Sequence, residues 1–390
     1  MNYRKPKQFM TGAFLLLAMC AVFVCDAFSC TTFCLKSKGE MLFGRNYDWA
    51  IGDGLVMVNK RGVQKVSMAA GDGNPAKWIS KYGSVTFNQY GRENPMGGMN
   101  EAGLVIEIMW LDETQYPKAD SRPAIDVLEW IQRNLDTAAT VAEVLKNAEN
   151  VRIKSDVKIH YLVNDKNGNS ATVEFLNGQM VTHSGNNLAY SALANDTYDK
   201  SINYLNATAP EKAKTSSSLD RFTRAAEKSK EFAAKPKTEQ QAVDYAFDVL
   251  SDVAQKGYTQ WSVVYDQKRG KIYFRTLQSP TIKSLDAKAF DYSCATAVKI
   301  FDINSKDSGN VTAKFTDYTR AANRDLLGRS FAGTSFLKDV PAMVIDGLAA
   351  YPENFACSSA SGEKAELKTR NETVFLPSFV PAILNFLLRS

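Results

Sequence analysis

"CTTFCLKSKGEMLFGRNYDW", residues 30–49, reads as two β-strands joined by a tight turn. β-Branched and aromatic residues fill Thr31 to Leu35 and Met41 to Tyr47, and Ser37-Lys38-Gly39-Glu40 suits a two-residue hairpin loop. In that register Thr32 faces Arg45 and Cys30 faces Tyr47. Cys30 and Arg45 then project from the same face as diagonal neighbours, roughly 7–8 Å apart at the backbone, within reach of an arginine side chain. Asp48 falls on the opposite face of an ideal ladder, so it joins them only if the strand ends or bends near Tyr47.

Immediately upstream lies an export pattern. Arg4, Lys5 and Lys7 precede the apolar run AFLLLAMCAVFVC, residues 13–25, which is followed by Asp26-Ala27-Phe28-Ser29. A basic start, a short apolar stretch and small residues three and one positions before a cut describe a secretory signal peptide over residues 1–29. The run is shorter than the roughly 20 residues that span a bilayer, so stable membrane insertion is not expected. Cleavage after Ser29 would make Cys30 the first residue. An N-terminal cysteine carries a nucleophile and a base together, because its α-amine titrates at about 7.7–8 and its thiol at about 8.5. A nearby guanidinium would favour the thiolate, and a carboxylate would orient the ammonium formed by proton transfer. A cysteine at a leader junction can also be lipidated, but "AFSC" and "VFVC" lack the usual leucine three residues before. It can also be an ordinary buried hydrophobe.

The 390 residues are 45% hydrophobic and 23% charged, a globular balance that can bury a large core. The formal charge of +5 falls to +3 once three basic and one acidic leader residues are removed, giving no reason to expect a nucleic-acid partner. Cys30, Cys34, Cys294 and Cys357 survive cleavage. Cys30 and Cys34 on an extended strand lie roughly 13 Å apart and cannot bridge, whereas a long-range pair among Cys34, Cys294 and Cys357 remains open. The two histidines, His160 and His183, form no metal-binding motif, so neither metal nor cofactor is expected. His160, within KIHYLV, reads as structural, and His183 as an exposed residue near a turn.

Further strands are predicted at 55–60, 84–90, 104–110, 158–164, 171–176, 260–265 and 271–276, with Asn164 to Asn169 a strong turn. Helices are predicted over 124–148, with Ile125, Leu128, Ile131 and Leu135 on one stripe and a restart at Asp136-Thr137, and over 219–254, divided by Pro236. Strands and helices without βαβ alternation point to an α+β fold of antiparallel sheets layered with helices. No composition break demands a second domain. Residues 331–390 form a C-terminal extension, read as a segment covering the body or an oligomer contact. Pro377 and Pro381 argue against a membrane helix at its end.

The opening block resembles the start of the choloylglycine hydrolase family, the bile salt hydrolases and penicillin V acylases of the N-terminal nucleophile superfamily. "GGMNEAGLVIEIMWL" (97–111), "LANDTYD" (193–199) and "LDRFTRA" (219–225) follow in the family's order, so the resemblance covers residues 30 to about 305. It implies a four-layer α-β-β-α sandwich over residues 30–330, often assembled as a homo-oligomer, and an exported hydrolase of linear N-acyl amides. Carried over by position, Cys30 is the nucleophile, and Arg45 and Asp48 flank its thiol and amine. Asn195 donates to the tetrahedral oxyanion, Arg221 steadies charge, and Trp110 supplies a backbone N–H to the oxyanion hole. Trp49 and Trp110 resemble the paired tryptophans of Gram-negative penicillin V acylase-like members, and two indoles make a flat apolar wall for an acyl group. Asp220 departs from the family's usual serine and could pair with Arg221 or Arg224. Sequons begin at Asn195, Asn206, Asn310 and Asn371, and a glycan on Asn195 would be incompatible with its role. A secreted binding protein that kept the fold and lost catalysis is the competing class, with Asp220 and the extension as its motivation.

Overall fold

The computed structural model describes residues 29–69, 74–234 and 238–358. The signal-peptide stretch before Ser29, the Asn371 sequon and the proline-bearing end of the chain lie outside the described residues.

The opening hairpin forms in the expected register. Thr31–Ser37 pairs antiparallel with Glu40–Asp48, Thr32 lies opposite Arg45, and Gly39 takes the positive φ of 91° that the turn requires. These strands belong to a seven-stranded sheet in the order Ala192–Leu193, Thr31–Ser37, Glu40–Asp48, Thr259–Asp266, Lys271–Thr276, Lys283–Asp286, Gly309–Asn310. A nine-stranded antiparallel sheet faces it, in the order Gln179–Ser184, Ser170–Leu176, Ile159–Asn164, Val105–Trp110, Pro95–Asn100, Ser84–Asn88, Leu55–Asn59, Lys299–Asp302, Thr316–Asp317. Aromatic side chains interdigitate between the sheets, with Tyr265 edge-on to both Phe43 and Phe87.

Seven helices are described: α1 Val127–Thr137, α2 Val141–Glu149, α3 Tyr198–Ala207, α4 Ser218–Ala233, α5 Glu239–Asp252, α6 Arg320–Gly333 and α7 Ala342–Ala350. Helices α4 and α5 cover the seven-stranded sheet, where Asn46 donates to the Leu250 carbonyl. Helix α1 covers the nine-stranded sheet, where Asn100 donates to the carbonyls of Leu135 and Ala138. All nine residues of Glu40–Asp48 are therefore buried, one face under a helix and the other against the second sheet. The architecture is the four-layer α-β-β-α sandwich.

The helical block over 124–148 differs in detail from its expectation. Ala124–Ile125 is a short strand parallel to Arg152–Ile153, and α1 begins only after the Asp126 capping box. The second helix restarts at Thr140, another capping box, rather than at Asp136-Thr137, because Asp136 is spent on Lys65 and the Trp78 indole. Pro95–Asn100 is a strand that no sequence pattern announced. Cys294 and Cys357 form the disulfide, and Cys34 is a buried free thiol beside Ser170. His160 is structural, held between Glu174 and the Ala194 carbonyl. His183 is not an exposed turn residue: it lies within a strand, its ring on Tyr198 and its Nε2 3.0 Å from Asp199.

Candidate active site

Cys30 sits at the mouth of the first strand and is buried. Four of the side chains that the sequence nominated surround it. Its backbone nitrogen donates to Asn195 Oδ1 at 2.8 Å, and its carbonyl accepts from Arg221 Nη1 at 2.7 Å. Arg221 Nη1 also donates to Thr31 Oγ1, and its Nη2 reaches Asn195 Oδ1 at 2.9 Å. The Asp48 backbone N–H and the Arg45 charge both favour the Cys30 thiolate.

Asp48 joins the cluster through a local irregularity. Along Glu40–Asp48 the partner strand stays in register up to Tyr47 opposite Trp261, then slips so that Thr259 faces Asp48. That bulge re-aims the chain, as extra residues in a ladder do. Thr259 Oγ1 donates to Asp48 Oδ1 at 2.5 Å, whereas Asp48 Oδ2 is buried without a hydrogen-bond partner. Burial pushes the Asp48 carboxyl up to about 7, against the pull of Arg221, Thr259 and Arg45.

Arg45 is fully buried, with its guanidinium 2.9 Å from Glu107 Oε2 and 4.7 Å from the centre of the Tyr47 ring. Burial opposes its charge, but Glu107 foremost and Cys30 after it raise its pKa. Glu107 takes a second bond from the Tyr265 hydroxyl at 2.5 Å, and burial lifts its carboxyl to about 7. Sequence reasoning missed Glu107. Its signal was present, a lone carboxylate in the apolar run VIEIMW.

Arg45 and Arg221 favour the thiolate, as expected, yet the thiol pKa is raised, because burial, joined by the Asp48 charge, outweighs both arginines and the Asp48 N–H. With Ser29 joined to it, the Cys30 nitrogen is an amide and offers no base.

Asn195 presents its oxygen to Cys30 and Arg221 and donates from Nδ2 to the Trp110 carbonyl at 2.9 Å. A carboxamide nitrogen carries two protons, so this bond uses one of them. The expected pairing of Asp220 with Arg221 or Arg224 does not form. Asp220 accepts instead from Tyr204 at 2.6 Å and from the Thr215 N–H and hydroxyl at 2.8 and 2.5 Å, fastening the loop before α4.

Cys30 opens onto a cavity of about 670 Å³ whose lining includes both tryptophans. Trp49 stacks on Tyr47 and donates from Nε1 to the Tyr90 hydroxyl at 2.8 Å. Half-buried Trp110 turns its Nε1 to Asp112 at 2.7 Å, which leaves its ring face as apolar lining.

Two facing, largely antiparallel sheets between helices, entered at a cysteine that opens the first strand, define the N-terminal nucleophile hydrolase fold. The family model "linear amide C-N hydrolases, choloylglycine hydrolase family" matches residues 30–216 and 210–300, and the chain belongs to that family. A penicillin V acylase of Pectobacterium atrosepticum is 28% identical, over 59% of this chain and 73% of its own. The solved structure of penicillin V acylase from Agrobacterium tumefaciens is similar with a TM-score of 0.67 and 28% identity, covering 75% of this chain and 98% of that one. A variant of conjugated bile acid hydrolase from Clostridium perfringens shares the fold at 18% identity, with a TM-score of 0.61 over 71% of this chain and 98% of its own. The protein is a linear amide C–N hydrolase.

Proposed function

We propose that the protein is exported, that removal of residues 1–29 exposes Cys30, and that this cysteine is the nucleophile of an N-acyl amide hydrolase of the penicillin V acylase type. The observation that carries the reading is the convergence of Asn195 and Arg221 on the backbone of one residue, Cys30, at a leader junction. Asp48 Oδ2, buried and without a partner, is the acceptor that a new α-ammonium would need. The Cys294–Cys357 disulfide supports an oxidising compartment.

The chemistry then balances. The Cys30 thiol passes its proton to the freed α-amine, and the thiolate adds to the acyl carbon. Charge collects on the carbonyl oxygen, for which the second Asn195 amide proton and the Trp110 backbone N–H are the proposed donors. The C–N bond breaks as the α-ammonium returns its proton to the leaving amine. The α-amine next takes a proton from water, whose oxygen attacks the thioester and releases the carboxylic acid and the thiol. Arg45 holds the thiolate, while Asp48 and Arg221 hold the amine and backbone of Cys30. The largely apolar cavity suits an apolar acyl group, and the flat faces of Trp49 and Trp110 favour an aryl or fatty one.

The test is the N-terminal sequence of exported protein together with turnover of Cys30→Ser. The mature chain should begin at Cys30, and the substitution should reduce kcat/KM on the preferred amide by on the order of a thousandfold or more. A panel of phenoxyacetyl amides, conjugated bile acids and acyl-homoserine lactones identifies that amide. A mature chain that keeps residues upstream of Cys30, or an alkylation-inert Cys30 with tight unhydrolysed ligand, would overturn the reading.

A further inference from the structure

The family model stops at residue 300, yet the cavity that begins at Cys30 is also walled by Phe331, Phe336, Leu337 and Leu348. These residues come from α6, α7 and the turn between them. The wall is joined to the catalytic side by a short chain of contacts. Trp49 Nε1 donates to the Tyr90 hydroxyl, which bonds Thr334 Oγ1 at 2.8 Å, and the Tyr90 ring packs on Phe331 with centroids 6.1 Å apart.

The helical pair is fastened to the body at separate points. Arg329 Nε lies 2.7 Å from Asp53 Oδ1, Tyr351 donates to Glu129 Oε1 at 2.9 Å, and Cys357 is bonded to Cys294. A Cβ on Gly333 would fall 2.5 Å from the Ile51 side chain, so α6 lies directly on the loop that follows Trp49. So many fastenings belong to a built surface rather than to a loose tail.

Building on the hydrolase reading, we propose that the α6–α7 pair is a specificity element: it extends the acyl pocket beyond Trp49 and Tyr90 and selects linear aliphatic acyl chains by length. The extended cavity lies in the range that encloses a drug-sized molecule, more than a short aryl-acetyl group fills. Among the described residues its added wall is aliphatic and aromatic, whereas the charged lining, Asp126, Arg152, Lys154, Asp156 and Lys158, comes from the body. Each methylene that enters should improve binding about fourfold, until the chain meets the wall.

The experiment uses the Cys30→Ala protein, which has no side-chain nucleophile, and the N-acylglycines hexanoyl-, decanoyl- and tetradecanoylglycine, titrated by calorimetry. Affinity should rise with chain length, and Leu348→Trp, which intrudes on the cavity, should erase at least tenfold of the tetradecanoyl gain. Phe336→Ala, a half-buried position, gives a second variant whose fold is checked by thermal unfolding and which should flatten the same rise. Affinity independent of length, or a rise unchanged in both variants, overturns the wall. Parallel turnover by the protein with Cys30 intact separates the two readings. Length-dependent binding without turnover sinks the catalytic assignment alone, and turnover with flat binding sinks the selector alone.

Discussion

Arg45 is held in place by Glu107 as much as by its neighbours in the hairpin. The pair is fully buried with 2.9 Å between Nη1 and Oε2, and removing one member of such a pair leaves the other as an uncompensated charge. Above pH 7, where the Glu107 carboxylate is charged, Glu107→Gln should therefore cost about 3–5 kcal/mol in urea unfolding. It should also change the thiol. With the carboxylate gone, the Arg45 cation acts on the Cys30 sulfur without its nearest counter-charge, so the thiol pKa falls. The pH profile of Cys30 alkylation, followed by mass spectrometry, should move to lower pH in the variant. An unmoved profile would mean that Arg45 does not act on the sulfur. Cys34 does not interfere, because burial pushes its thiol up to about 12.

At the scale of elements, Gly97 and Glu107 sit opposite each other on neighbouring strands. A Cβ on Gly97 would lie 2.0 Å from Glu107 Oε2, so the glycine makes room for the carboxylate that orients Arg45. Gly97→Ala should cost about 1–3 kcal/mol by overpacking. The cost should shrink in a Glu107→Asp background, where the shorter side chain withdraws from the new methyl group. Additive losses in that double-mutant cycle would refute the coupling. The same contact explains why Pro95–Asn100 was illegible: proline and paired glycines read as a turn, and only the crowding by Glu107 and Thr86 makes small residues right for a strand. The opening hairpin was legible because its turn and its two-residue period agree on one register. The bulge that brings Asp48 to Cys30 was not, since its cause lies in Thr259 and Trp261, some two hundred residues downstream. Cys30, Arg45, Asn195 and Arg221 could be nominated from motif blocks, whereas the α6–α7 wall carries no motif and is recognisable only by what it touches.

Across the whole molecule, buried carboxyls outweigh the paired surface ones in setting the response to pH. Burial raises Glu107 and Glu129 to about 7, and Asp136 to about 6 despite Lys65; Asp48 stands apart, because the proposed α-ammonium would lower it. Glu107, Glu129 and Asp136 each bind a proton more tightly in the folded chain than in the unfolded one. Between the unfolded carboxyl range near 4 and the folded values near 7 the native state therefore holds more protons, and stability falls as pH rises through that window. Surface carboxyls act in the opposite sense. Arg122 holds Asp120 below its usual range and Lys314 does the same for Asp307, so their contribution is present above about 4 and is lost only as pH falls further. The two sets act in different windows, so they do not cancel. The melting temperature should be highest near pH 4 and decline until about pH 7. Replacing Glu129, which is bonded to Ser67 and Tyr351 and is not among the groups acting on the Cys30 thiol, with glutamine should reduce the slope of that decline. A melting temperature that climbs steadily from pH 5 to pH 8 in both proteins would show that these carboxyls are ionised in the fold at far lower pH.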